Sequence, residues 1–135
     1  KNIIGIKDAT GDMDRFEDLK NKVSKNFLFL SGDDTTFLDY MEHGGAGVIS
    51  VTADVRPDLM RDACEKMLNQ HFEEAKKINK KLEPLHRAMF VESNPIPVKW
   101  LLSYLGKINS KIRLPLVTLD EKYHQELVEA YEAIL

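Results

Sequence analysis

Lys7 is the first residue of this chain whose position suggests chemistry. It closes the apolar run Ile3-Ile4-Gly5-Ile6 and is followed by Asp8-Ala9-Thr10-Gly11. A lysine at the C-terminal end of a parallel strand stands where α/β proteins build their active sites. Apolar neighbours there would favour the neutral, nucleophilic amine over the ammonium ion. Such an amine can condense with a keto acid and turn its carbonyl into an electron sink. The bland alternative is a solvent-exposed lysine, or one paired with Asp8, and position alone favours it.

Two later segments end in residues of similar interest. Phe27 to Leu30 runs into Ser31-Gly32-Asp33-Asp34-Thr35, where Gly32 permits a close backbone approach to a ligand. Asp34 is placed to cap the helix containing Phe37 and Leu38, and capping is the preferred reading of both aspartates. No His or Cys stands near them at ligand spacing, so no metal site is expected. The segment Ile49-Ser50-Val51-Thr52-Ala53 returns to the same expected face as Lys7 and Gly32, where its backbone carbonyls can line a pocket. Gly44-Gly45-Ala46-Gly47 lies on the helix-to-strand side and reads as a helix cap and tight turn rather than a phosphate loop.

The elements that must position these residues follow from periodicity. Ile3 to Ile6, Phe27 to Leu30 and Val48 to Val51 are continuous apolar runs, the pattern of strands covered on both faces in a parallel sheet. Met13, Phe16, Leu19 and Val23 recur at helical spacing between the first two, as do Phe37, Leu38 and Met41 before the third. Pro57 is expected to open a helix faced by Leu59, Ala63 and Met67. The second half has no convincing strand. Phe72, Ala75, Ile78 and Leu82 mark one helix, and Pro84 is expected to open another through Leu85 and Met89. Pro97 should open a third, closed by Gly106, and a last helix should begin near Asp120. Three βα units followed by a helical appendage result, joined near Asn69 to His71. That order fits an open α/β sheet or part of a (β/α)8 barrel, and periodicity does not choose between them.

Composition narrows the remaining classes. The chain has 135 residues, 43% hydrophobic and 30% charged, with a net charge of -3. This describes an ordinary globular domain with no electrostatic reason to bind nucleic acid or anionic lipid. No stretch reads as a membrane span or a secretory signal, so the cytoplasm is the expected compartment. The one cysteine, Cys64, lies among Met60, Ala63 and Met67 and is expected to be a buried structural thiol. His43, His71, His86 and His124 are scattered through helical regions and read as surface or satisfied side chains. Lys76, Lys77, Lys80 and Lys81, offset by Glu73 and Glu74, read as the solvated face of a helix. An apolar strand within two residues of the start, without an initiator methionine, leads us to expect truncation upstream.

Ile4 to Gly11 resembles the Schiff-base lysine motif of the dihydrodipicolinate synthase and N-acetylneuraminate lyase superfamily. Ser31 to Asp34 and Gly44 to Val51 follow at that superfamily's spacing, and Asn94-Pro95-Ile96-Pro97-Val98-Lys99-Trp100 is similar to its synthase branch. The resemblance covers the chain from Lys1 to about Leu135. It implies the last three βα units of a (β/α)8 TIM barrel over residues 1–70 and a helical C-terminal domain over 71–135. It implies condensation of pyruvate with aspartate semialdehyde on the path to diaminopimelate and lysine, without a cofactor, usually in a dimer of dimers. Carried over by position, Lys7 forms the imine, the Ile49 carbonyl contacts bound pyruvate, and Gly32 lines the pocket. The family's proton-relay tyrosines, carboxylate-gripping threonines and entrance arginine would all precede this chain, on the N-terminal half of the barrel. A neighbouring aldolase acting on a sialic or sugar keto acid, and a non-catalytic half-barrel, are the alternatives.

Overall fold

The computed structural model describes residues 2–135. Three strands, β1 (Gly5–Asp8), β2 (Leu28–Ser31) and β3 (Gly47–Val48), form one parallel sheet in the order β1-β2-β3. Helices α1 (Met13–Lys20) and α2 (Phe37–Glu42) connect them, so each strand-to-strand crossover is a helix, as parallel pairing requires. After β3 come a 3-10 turn (Thr52–Asp54), α3 (Pro57–Leu68), α4 (Phe72–Ala88) and α5 (Ile96–Tyr104). A second 3-10 turn (Glu121–Tyr123) then leads into α6 (His124–Glu132). Among the described residues no helix is long and apolar enough to cross a membrane.

The two faces of the sheet differ. Ile6 and Phe29 point to the helices, where Phe29 joins Phe16 of α1 and Tyr40 of α2 in a small aromatic cluster. The Phe16 and Phe29 rings meet edge to face at 5.2 Å, the arrangement their quadrupoles favour. Alternation then places Gly5, Lys7, Leu28 and Leu30 on the opposite face, which is open. A larger buried cluster contains Phe37, Met60, Leu82, Met89, Leu101 and Leu127, and runs without a break across Asn69 to His71. Arg56 ties its ends together. The guanidinium forks onto Asp58 at 2.9 and 2.7 Å and donates to the Ile134 carbonyl at 2.6 Å.

The glycine turns follow the sequence reading. Past the end of α2, Gly44 has φ +106, and the N–H groups of Gly44 and Gly45 donate back to Met41 and Tyr40. Gly106 has φ +68 past α5, with the same pair of bonds from Gly106 and Lys107 to Ser103 and Leu102. Both are helix ends that need a left-handed residue. Pro57 sits in the first turn of α3, as expected.

Four expectations are corrected. Pro84 opens no helix; it lies inside the 17-residue α4. Proline there gives up the bond to the carbonyl of Lys80, and both residues are exposed, so water can satisfy that carbonyl. Buried Leu82, Leu85 and His86 on the other side hold the helix down. The third strand is only Gly47–Val48 rather than Val48 to Val51, because the chain after Ile49 turns away toward the helices. The last α-helix begins at His124, since Asp120 instead caps the short 3-10 turn, accepting from the Lys122 N–H. Cys64 is half-buried rather than buried. Burial and the Asp34 charge still push its thiol pKa up, which disfavours the thiolate.

Candidate functional site

The parallel register brings the ends of all three strands together. Lys7 lies beside Leu30 and Asp8 beside Ser31, while Ser31 pairs with Val48. Beyond the strands the ladder continues: Gly32 N–H donates to Asp8 O at 2.8 Å, and Ile49 N–H donates to Ser31 O at 2.8 Å. Lys7, Gly32 and Ile49 therefore stand at one end of the sheet, in or just beyond consecutive strands. Gly32 is the close neighbour of Lys7. A Cβ at Gly32 would collide with Lys7 Cε and would sit 2.7 Å from Ala9 Cβ. Only glycine leaves the lysine stem its path across β2.

Lys7 has the apolar neighbours that the sequence led us to expect, but they do not cover it. Its residue is exposed, because it stands on the open face of the sheet. It lies in an open cleft of about 470 Å³ whose lining includes Ile4, Ile6, Leu28 and Leu30. Nor is it paired with Asp8. That carboxylate points to the helix side, where it accepts from Thr10 N–H and from Arg15 Nε, each at 3.0 Å. Burial alone would raise the Asp8 pKa, but the bonds from Thr10 and Arg15 outweigh it and hold the pKa below its ordinary value. Lys7 thus faces the cleft while the neighbouring Asp8 carboxylate is engaged on the helix side of the strand.

The two aspartates after β2 divide their work differently from the sequence reading. Asp33, not Asp34, serves the start of α2, accepting from Thr36 N–H at 2.9 Å and from the Thr35 and Thr36 hydroxyls. Asp34 is buried and reaches across to the loop after β3. Its Oδ2 accepts from Val51 N–H at 2.9 Å and Thr52 N–H at 3.0 Å. Its Oδ1 has no hydrogen-bond donor among the described residues.

Thr52 leads to a group of residues that periodicity did not single out. Its side chain is fully buried, and its Oγ1 lies 2.7 Å from His86 Nδ1. His86 Nε2 lies 3.0 Å from Asn79 Oδ1. With the carbonyl oxygen of Asn79 as acceptor, the imidazole carries its proton on Nε2 and accepts the Thr52 hydroxyl at Nδ1. Burial holds the His86 pKa below its ordinary value, in keeping with this neutral form. The signal in the sequence was faint: Asn79, Leu82 and His86 share one helix face, which puts two polar residues on an apolar stripe. The Asn94 to Trp100 segment opens α5, with Ile96, Pro97 and Val98 buried. Trp100 stacks on His124 at 4.1 Å, within the helical part of the chain.

Lys7 thus stands near the C-terminal end of a parallel strand, with Gly32 beside its stem. The protein-family model of the dihydrodipicolinate synthetase family matches residues 1–134. The chain belongs to that family. It is 52% identical over 123 residues to the 4-hydroxy-tetrahydrodipicolinate synthase of Buchnera aphidicola subsp. Baizongia pistaciae, covering 90% of this chain and 42% of the relative. It is 48% identical over 132 residues to that of Saccharophagus degradans, covering 98% and 45%. Its fold matches the crystal structure of the dihydrodipicolinate synthase of Acinetobacter baumannii complexed with pyruvate, with a TM-score of 0.94 and 43% identity. That match covers 98% of this chain and 46% of the other. The chain therefore spans a little under half the length of these family members. Family membership, the α/β architecture and the three-stranded parallel sheet agree with the sequence reading.

Proposed function

We propose that this chain is the C-terminal half of a Schiff-base enzyme that condenses pyruvate with aspartate semialdehyde to 4-hydroxy-tetrahydrodipicolinate, with Lys7 as the imine-forming residue. The observation that carries this reading is the placement of Lys7 beside Gly32 and in line with Ile49 at the strand ends. The names of its relatives support the choice of substrates over a sugar keto acid. In this reading the Lys7 amine adds to the ketone of pyruvate and water leaves, forming the imine. The protonated imine draws electrons from the methyl carbon, which loses a proton, and the resulting enamine attacks the aldehyde carbon of the second substrate. The lysine itself supplies the electron sink, so the step needs no cofactor. Gly32 lines the pocket, and the Ile49 carbonyl faces the bound pyruvate.

Residues 1–70 act as the last three βα units of a (β/α)8 barrel and 71–135 as its helical domain. The open face of β1 and β2 is then the barrel interior, and Leu28 and Leu30 meet side chains from the N-terminal half. That half supplies the acid, the base and the carboxylate grip, and general acid–base groups are worth about 10²–10⁴-fold in rate. The whole enzyme works as a homo-oligomer, a dimer of dimers, in the cytoplasm.

The test is borohydride reduction of the full-length protein with pyruvate, followed by peptide mass spectrometry. The expected product is a secondary amine on Lys7, lost in Lys7→Arg because a guanidinium stays protonated. An adduct on another lysine, such as Lys99, overturns the assignment.

A further inference from the structure

The loop after β3 carries Ile49, yet little of the sheet holds it. β3 ends at Val48, and beyond the Ile49 N–H bond to Ser31 the chain leaves the ladder. The next backbone donors are instead taken by side chains. Val51 and Thr52 give their N–H groups to Asp34 Oδ2, and Ala53 gives its N–H to Ser50 Oγ at 2.9 Å. Thr52 is the junction. Its backbone is tied to the β2–α2 loop, and its hydroxyl to His86 and through it to Asn79, both on α4. Thr52, Asp34 and His86 are each no more than 1% exposed, so the bonds from Thr52 N–H to Asp34 and from the Thr52 hydroxyl to His86 are shielded from water. In such a setting an unmade bond costs more than at the surface, which favours the bonded position of the turn.

We infer that Thr52 is a positioning residue for the Ile49 carbonyl, clamped between Asp34 and the His86–Asn79 pair so that the strand-end backbone faces Lys7 at a fixed depth. This rests on the reading of Lys7 and Ile49 given above, and it gives the helical domain a task at the site. Through His86, α4 sets where the β3 loop stands. Releasing the hydroxyl lets residues 49–51 relax toward the helices, away from the pyruvate bound on Lys7. The loss falls on pyruvate and spares the second substrate's own contacts.

The experiment compares Thr52→Val and Thr52→Ser in the full-length enzyme. Valine keeps the shape and the backbone bond to Asp34 but removes the hydroxyl; serine keeps the hydroxyl. We expect Thr52→Val to raise the KM for pyruvate about tenfold and to slow borohydride trapping at Lys7. The KM for aspartate semialdehyde should stay within about twofold, and Thr52→Ser should restore the pyruvate KM. A residue that only stabilises the fold would lower the melting temperature and the number of active sites but leave the pyruvate KM unmoved. That result overturns the inference. If Thr52→Val does not fold, Asn79→Ala leaves the turn's own residues in place and should raise the pyruvate KM about threefold; an unchanged value again overturns it. Parent enzyme that traps pyruvate at Lys7 while the variants keep its KM sinks this inference alone. Parent enzyme that does not trap at Lys7 sinks the functional reading with it.

Discussion

His86 shows how burial changes what a single residue means. On the sequence it is one of four histidines; in the fold it is, among the described residues, the one with both ring nitrogens bonded inside the protein. Burial lowers its pKa, opposed in part by the negative charges of Asp34, Asp33 and Glu83 and aided by Arg87. The sign of the consequence is definite. Below its ordinary value of 6.5 the unfolded chain binds a proton that the folded chain resists. Stability from this group is therefore complete above that pH and falls as pH drops toward the folded pKa. Denaturation midpoints measured from about pH 7.5 down to about pH 5 should decline, and His86→Gln should flatten that decline. A parent profile as flat as that of the variant would remove His86 from this role. Asp8 contributes in a separate window. Its lowered pKa adds stability above the ordinary 3.8, lost only at more acid pH.

At the scale of elements, the ends of helices matter as much as their faces. Gly106 is a clean case because a Cβ there meets nothing within 4 Å, while its φ of +68 remains left-handed. Gly106→Ala should therefore destabilise through backbone conformation alone, by about 1–2 kcal/mol, with Gly106→Asn costing less. Urea midpoints at one fixed protein concentration measure this. A loss of about 4 kcal/mol, or none, would show that the end of α5 is held by something other than its cap. α4 makes the converse point. It runs through Pro84 because the lost bond faces water and the opposite stripe is buried, so tertiary packing overrides a strong local breaker.

The whole chain carries an unbalanced sheet. β1 and β3 are both edge strands among the described residues. Large apolar side chains near them remain open: Ile3 is 78% exposed, Ile4 67%, Ile49 51% and Leu28 48%. Full burial of such a side chain is worth about 1.5–3 kcal/mol, so several together approach the low end of the cost of association, about 4 kcal/mol. In the proposed half-barrel reading the isolated chain should self-associate as concentration rises, or require the N-terminal half of the barrel, and static light scattering reads which. Mixing the two halves should restore imine trapping at Lys7 and turnover of both substrates. A monodisperse monomer that turned over both substrates unaided would sink the half-barrel reading, and with it any need for groups outside this chain.

By itself the sequence determined that two successive apolar runs pair as parallel strands, though these lie at Gly5–Asp8 and Leu28–Ser31, one or two residues later than the runs Ile3 to Ile6 and Phe27 to Leu30. It also determined the glycine turns at Gly44 and Gly106, and the family, because these are local. An apolar run, a residue that tolerates positive φ and a motif each act through near neighbours along the chain. Bonds between residues far apart in sequence were not legible. Asp34 reads locally as a helix cap, and only the folded loop shows that Val51 and Thr52 take its carboxylate while Asp33 serves α2. Thr52 and His86 stand 34 positions apart, and no period relates them. Their meeting depends on how α4 packs across the end of β3. The surroundings of Lys7 were decided in the same way. Its strand and its end of the sheet followed from pattern, but whether it is covered depends on which chain segments reach the open face of β1 and β2.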